Sequence, residues 1–356
     1  MIRTANATLV GPCLASVTRR RRHCLLVLLA VAGQLLLALA GPAPVMAGGP
    51  CATIAAPCAL STWRPQDEVW LISTRGLGLP RAGCCLSGTP RFQRWDPRRG
   101  WQPAGAAEFH AAGASPRITC FYVHGNQIQA GRAPARGWRV YLAILGGRAE
   151  APPLRYVIWS WPSDRASGPL RDARIKAART DVDGFYLASV LAEMPPGPPV
   201  SLIGFSFGSR VITGASHLLG GGVLAGRALP RAGAEDRVRP RTVLLAAALE
   251  TGWLQPGHCH GQAVAQMESL LLLYNSCDPL LRRYRFLTGD RRSTALGFTG
   301  LPPLGRLGGP PTNFRQRDLA PLIGRVHDWN ATVGSRAAMA DVSRVVLDPP
   351  APPAGL

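Results

Sequence analysis

The chain has 356 residues, enough for one large α/β domain or two ordinary ones, and 47% are hydrophobic, which excludes a disordered protein. The net charge is +20, yet 39 of the 40 basic residues are arginine and only Lys176 is lysine. The arginines are scattered, with no basic stripe interleaved with aromatics and no zinc-finger, basic-zipper or RNA-recognition pattern, so no nucleic-acid partner is expected.

In chain order, Arg19 to Arg22 precede the apolar run 24–40, followed by Gly41, Pro42, Pro44 and the small-residue stretch VMAGG. Charged, then apolar, then cleavable is the order of a secretory signal. Cleavage after Ala47, with Ala40 as the alternative, removes five arginines and no acidic residue and takes the charge from +20 to +15. The 17-residue run is a little long for a signal core and a little short for a membrane span; uncleaved, it is an anchor that associates the chain with a membrane. Either way the remainder is expected to be exported, to the periplasm, cell surface or medium. The expected organisation is 1–47 signal peptide or anchor, 48–65 a Cys- and Pro-bearing lead, 66–345 the folded domain, and 346–356 a disordered Pro-rich tail. Seven cysteines follow residue 47, so at least one is free or pairs elsewhere. Cys51 with Cys58, or either with Cys84 or Cys85, are disulfide candidates that an exported chain permits; Cys120 reads as a small buried hydrophobe in an apolar strand.

EVWLISTRGL (68–77) alternates as a strand does, and RFQRWDPRRGWQPAG reads as a more exposed strand or hairpin. RITCFYVHGN (117–126) and LRYVIWSWP (154–162) are apolar and rich in β-formers, as interior strands are; a helical RGWRVYLAILGG lies between them. Residues 171–194 place Ile175, Ala178, Val182, Phe185, Leu187, Val190 and Leu191 at helical spacing, before Pro195. Then come strand PVSLIGF, helix SRVITGASHLLG, a Gly/Pro/Arg-rich loop over 220–240, and strands RTVLLAAAL (241–249) and MESLLLLYNSCDP (267–279). A Gly/Pro-punctuated stretch leads to about Asn313, and 326–347 predicts one final helix. Strands apolar throughout, alternating with helices, predict an α/β fold: a mostly parallel central sheet covered by helices on both faces.

One stretch carries chemistry. Gly204-Phe205-Ser206-Phe207-Gly208 joins an apolar strand to a small-residue helix, the context in which G-x-S-x-G forms a nucleophile elbow. Gly204 and Gly208 let the strand and helix backbones approach, and the serine is expected in an unfavourable backbone conformation. A serine needs a base and the base a carboxylate to orient it. Asp278 ends an apolar strand before Pro279, and His327 lies in a turn before the last helix, with Asp328 beside it as a helix cap. On these residues the chain resembles the α/β-hydrolase superfamily over about residues 66–345, whose members carry nucleophile, acid and histidine in this order.

The resemblance implies the α/β-hydrolase fold, Ser206 as nucleophile, His327 as base and Asp278 as its partner. It implies an oxyanion hole from the main-chain N–H of Phe207 and of Asn126, with Gln127 next in line, on a loop that Gly125 brings close; His124 is then structural. The expected activity is a serine esterase acting on a small-molecule or lipid-like acyl substrate, with little or no lid, no cofactor and no metal. His258-Cys259-His260 lacks the spaced second pair a metal site needs. Two other classes compete: a non-catalytic α/β-hydrolase-fold binding or envelope-associated module, and an anchored protein whose arginines hold anionic lipid or polysaccharide surfaces.

Overall fold

The computed structural model describes residues 63–78, 88–112, 117–166, 168–230, 237–302 and 313–348. The signal or anchor segment, the lead, the tail and Cys51, Cys58, Cys84 and Cys85 lie outside the described residues. The strands are β1 (Glu68–Ser73), β2 (Arg91–Asp96), β3 (Gly100–Ala104), β4 (Ile118–Val123), β5 (Leu154–Ser160), β6 (Val200–Phe205), β7 (Arg241–Leu245), β8 (Ser269–Tyr274) and β9 (Asn313–Asp318). The helices are α1 (Ala106–Ala112), α2 (Arg132–Leu145), α3 (Pro169–Ala192), α4 (Phe207–Leu219), α5 (Ala263–Gln266), α6 (Arg285–Thr288), α7 (Leu296–Thr299), α8 (Ala320–Ile323), α9 (Trp329–Gly334) and α10 (Arg336–Leu347).

The strands form one sheet in the order β3-β2-β1-β5-β4-β6-β7-β8-β9. The hairpin partners β2 and β3 run antiparallel, and every pairing from β1 to β9 through β5, β4, β6, β7 and β8 is parallel. From β4 to β5 the chain steps one way along the sheet, and from β5 to β6 and β7 the other way. Because such crossovers are right-handed, the reversal puts α2 on one face and α3 with α4 on the opposite one. Helices α9 and α10 join α2 on its face. Strands covered on both sides have no solvent face to pattern, which is why β4, β5, β6 and β7 are buried at every position. This is the expected α/β-hydrolase arrangement, with β6 near the middle.

Four expectations are corrected. Strand β9, NFRQRD, was not foreseen: an edge strand pairs through its backbone and keeps polar side chains outward, leaving no apolar run to read. The strand over 241–249 ends at Leu245, because Ala246 turns the chain at φ 45°. In α3, Ile175 is exposed at 41% and Ala178 is exposed too, while Asp172, Arg179 and Asp183 are buried. The helix is rotated because Arg179 bonds Asp183 (2.7 Å) and the carbonyls of Leu77 and Gly78, while Thr74 donates to Asp183. The single helix over 326–347 is two, since Ser335 leaves helical geometry (ψ 106°) after Gly334 and caps α10 by accepting from the Ala338 N–H. Cys120 is fully buried and free, its thiol pushed up by burial, as expected of a core residue.

Candidate active site

Ser206 stands at the corner between β6 and α4 with φ 54° and ψ −117°. A non-glycine residue in that region costs roughly 1–3 kcal/mol, so its surroundings must enforce it. They do: the Ser206 N–H donates to the Leu245 carbonyl (2.9 Å), and the Ser206 carbonyl accepts from Ser209 (3.1 Å) and Ala248 (3.2 Å). The flanking glycines are required for space. A Cβ on Gly204 would lie 2.6 Å from the Ser209 nitrogen, and one on Gly208 would lie 2.1 Å from the Val123 carbonyl oxygen. Helix α4 therefore begins directly against the end of β4.

Asp278 follows β8 and is fully buried. Its Oδ1 accepts the N–H groups of Leu280 and Leu281 (2.9 Å each), which fixes the carboxylate so that Oδ2 faces His327 Nδ1 at 2.6 Å. On the other side of the ring, His327 Nε2 lies 3.2 Å from Ser206 Oγ. The Phe205 ring packs 5.6 Å from the imidazole, covering it. Three residues drawn from 121 positions of chain thus form one line of hydrogen bonds at the carboxyl ends of β6, β8 and β9. Asp328, next in sequence, accepts from Ala331 (2.7 Å) and caps α9.

Asn275 escaped the sequence reading. Its Nδ2 donates to the carbonyls of Gly324 and Val326 (2.9 Å each) and its Oδ1 accepts from Cys277 (3.0 Å), so it ties the turn bearing His327 to the turn bearing Asp278. Its signal was there, an Asn at the polar end of an apolar strand, but its partners lie about 50 residues away. Asp318 adds a second tie, accepting from Ser276 and Ala320.

The loop after β4 closes the other side. A Cβ on Gly125 would stand 3.2 Å from Ser206 Cβ, so this loop abuts the serine. His124 is fully buried, donates from Nδ1 to the Gly125 carbonyl (2.9 Å), receives Arg75 at Nε2 (3.3 Å) and stacks on Trp161. Burial drives its pKa down to about 3, so it is a neutral, structural imidazole. Gln127 sits at φ 57°. The buried Asp172 at the start of α3 holds this turn in place, accepting from Asn126 Nδ2 (2.8 Å), Gln127 Nε2 (3.4 Å) and Ala166 N (2.7 Å).

His258, Cys259 and His260 do not gather into a ligand set. His260 bonds Thr213 (2.8 Å) and stacks on His217, and Cys259 is disulfide-bonded. Among the described residues no group of three or more His, Cys, Asp or Glu could hold a metal ion.

No protein-family model matches the chain, and no curated protein matches it significantly. Among solved structures it is similar to acyl-protein thioesterase 2 of Zea mays, at 16% identity and TM-score 0.28, covering 57% of this chain and 84% of that one. It is similar to the esterase Est22 at 12% identity and TM-score 0.30, covering 72% and 76%. An inhibited esterase B from Lactobacillus rhamnosis matches at 11% identity and TM-score 0.32, covering 81% and 90%. Likenesses of this depth name neither substrate nor reacting residue.

Proposed function

We propose that this chain is an exported serine hydrolase acting on carboxylic esters. The observation that carries the reading is the line Ser206 Oγ, His327 Nε2 (3.2 Å), His327 Nδ1, Asp278 Oδ2 (2.6 Å), anchored on a serine held at positive φ. Ser206 Oγ attacks the ester carbonyl as His327 takes its proton; Asp278 accepts from Nδ1 and stabilises the imidazolium. The tetrahedral oxyanion is received by the Phe207 N–H at the start of α4, where the helix dipole favours negative charge, and by an N–H of the 126–127 turn. His327 then protonates the departing alkoxide, leaving an acyl-Ser206 ester. Water, deprotonated by the same imidazole, releases the acid and restores the hydroxyl. No step needs a cofactor.

The test is labelling with a fluorophosphonate alongside hydrolysis of short-chain acyl esters. The wild-type protein is expected to be labelled once, at Ser206, and Ser206→Ala to be neither labelled nor active. Ester hydrolysis that survives unchanged in a clean Ser206→Ala preparation would refute the reading. Export is supported by the charged, apolar, small-residue order of the first 47 residues. N-terminal sequencing of protein from the producing cell is expected to begin near Gly48; an intact 24–40 segment in the membrane fraction means an anchor instead.

A further inference from the structure

The carboxyl edge of the sheet carries more than the hydrogen-bonded line. Six large apolar side chains are exposed among the described residues: Leu170, Ile175, Val223, Leu280, Phe286 and Leu322. All but Val223 stand on three segments that leave this one edge, residues 168–175, 279–292 and 319–327. The first includes Asp172, which holds the 126–127 turn; the second begins next to Asp278; the third ends at His327. The first two are joined, since Arg174 reaches the carbonyls of Phe286 and Leu287 (3.4 and 3.3 Å), and the third is tied by Asn275, through Gly324 and Val326, to the turn that precedes the second. The exposed apolar groups therefore belong to a rim of three segments leaving the sheet edge at which Ser206 stands.

The same 31 residues hold eight arginines, against 39 in all 356, and all eight are exposed. The acidic residues among them are Asp172, which is buried, and Asp290. Enrichment on this rim goes beyond the arginine bias of the whole chain. Clustered exposed apolar side chains mark an interaction surface, and here the same three segments carry guanidinium groups suited to phosphate oxygens. A soluble polyanion would occupy the arginines and leave Phe286 and Leu322 in water; a lipid surface takes up both kinds of group.

We propose that this rim docks on an anionic lipid surface, its apolar side chains entering the headgroup region and its arginines meeting lipid phosphates. Ser206 then faces the membrane. That the acyl substrate is a lipid ester delivered from that surface rests on the hydrolase reading above; the docking itself does not.

The test uses the full chain with a reporter tryptophan at Phe286→Trp or at Val223→Trp, the second lying beyond the far end of α4, at the opposite edge of the sheet. Vesicles of phosphatidylcholine alone, or with phosphatidylglycerol, carry brominated acyl chains that quench a tryptophan only on close approach. Emission is read as the difference from the unsubstituted protein, so the segment 24–40 is common to every sample. Quenching at position 286 in anionic vesicles, with little in neutral ones and none at position 223, is the expected result. Equal quenching in neutral vesicles, equal quenching at both positions, or none at 286 overturns the proposal. So does binding of soluble polyglutamate with position 286 unquenched, which would assign the arginines to a polyanion. Replacing Arg282, Arg283 and Arg325 with Gln is expected to weaken vesicle association by about 100-fold, at roughly fivefold per arginine, and to leave soluble-ester kcat/KM unchanged. Quenching without fluorophosphonate labelling of Ser206 would keep the docking surface and discard the hydrolase.

Discussion

Ser206 is where local strain and long-range support meet, and its replacement separates the two. The hydroxyl is small, while three backbone hydrogen bonds and two glycine contacts hold the corner. Ser206→Ala is therefore expected to unfold in urea within about 0.5 kcal/mol of wild type while losing all probe labelling. Asn275 is the opposite case, since it touches no reacting atom yet joins two turns. Asn275→Ala removes two donors to main-chain carbonyls and is expected to cost about 1–3 kcal/mol of unfolding free energy. It should also lower kcat with KM little changed, because His327 loses its position and the substrate loses no contact. A kcat equal to wild type would show that His327 is held without it. Ser206 was legible from a five-residue pattern because an elbow is a local object. Asn275 was not, since nothing near it in sequence shows what its amide binds.

At the scale of elements, the junction of β4, β6 and α4 tolerates least. Gly208→Ala is expected to lose several kcal/mol or to prevent folding, since its Cβ would overlap the Val123 carbonyl and neither backbone can retreat without opening the sheet. Soluble expression and a urea midpoint measure it, and a near-native midpoint would contradict the packing described. The α9–α10 break is a milder site. Ser335→Ala removes the cap accepting from Ala338 and should cost about 1 kcal/mol. The interior strands were readable because burial on both faces demands unbroken apolar runs. Strand β9 and the rotation of α3 were not, because an edge strand is specified by the partner it pairs with, and α3 turns on the buried Arg179–Asp183 pair that periodicity counts as polar surface.

Across the whole molecule, buried histidines tie stability to pH. Burial lowers the pKa of His124, to about 3, and also lowers those of His217 and His260. Below pH 6.5 the unfolded chain binds these protons before the folded one does, down to about pH 3 for His124, so stability is full above pH 6.5 and falls as pH falls below it. For His124 the slope is up to about 1.4 kcal/mol per pH unit. Asp181 and Asp183, whose pKa values burial raises, act in the opposite sense from 3.8 upward. The histidine part is isolated by imidazole NMR: in the folded protein His124 should titrate near pH 3 and His260 well below pH 6.5, and titration of either near pH 6.5 would remove its share. By itself the sequence determined the α/β class, the parallel interior, the elbow at Ser206 and the order Ser206, Asp278, His327, because each is written in local apolar runs, turn residues and their succession. Only the tertiary structure decided that His327 reaches Asp278 on one side and Ser206 on the other, that Asp172 and Asn275 hold the surrounding loops, and that the exposed apolar residues and arginines share one rim. Those relations join residues up to 121 positions apart, and strand order, invisible to any local pattern, sets which of them meet.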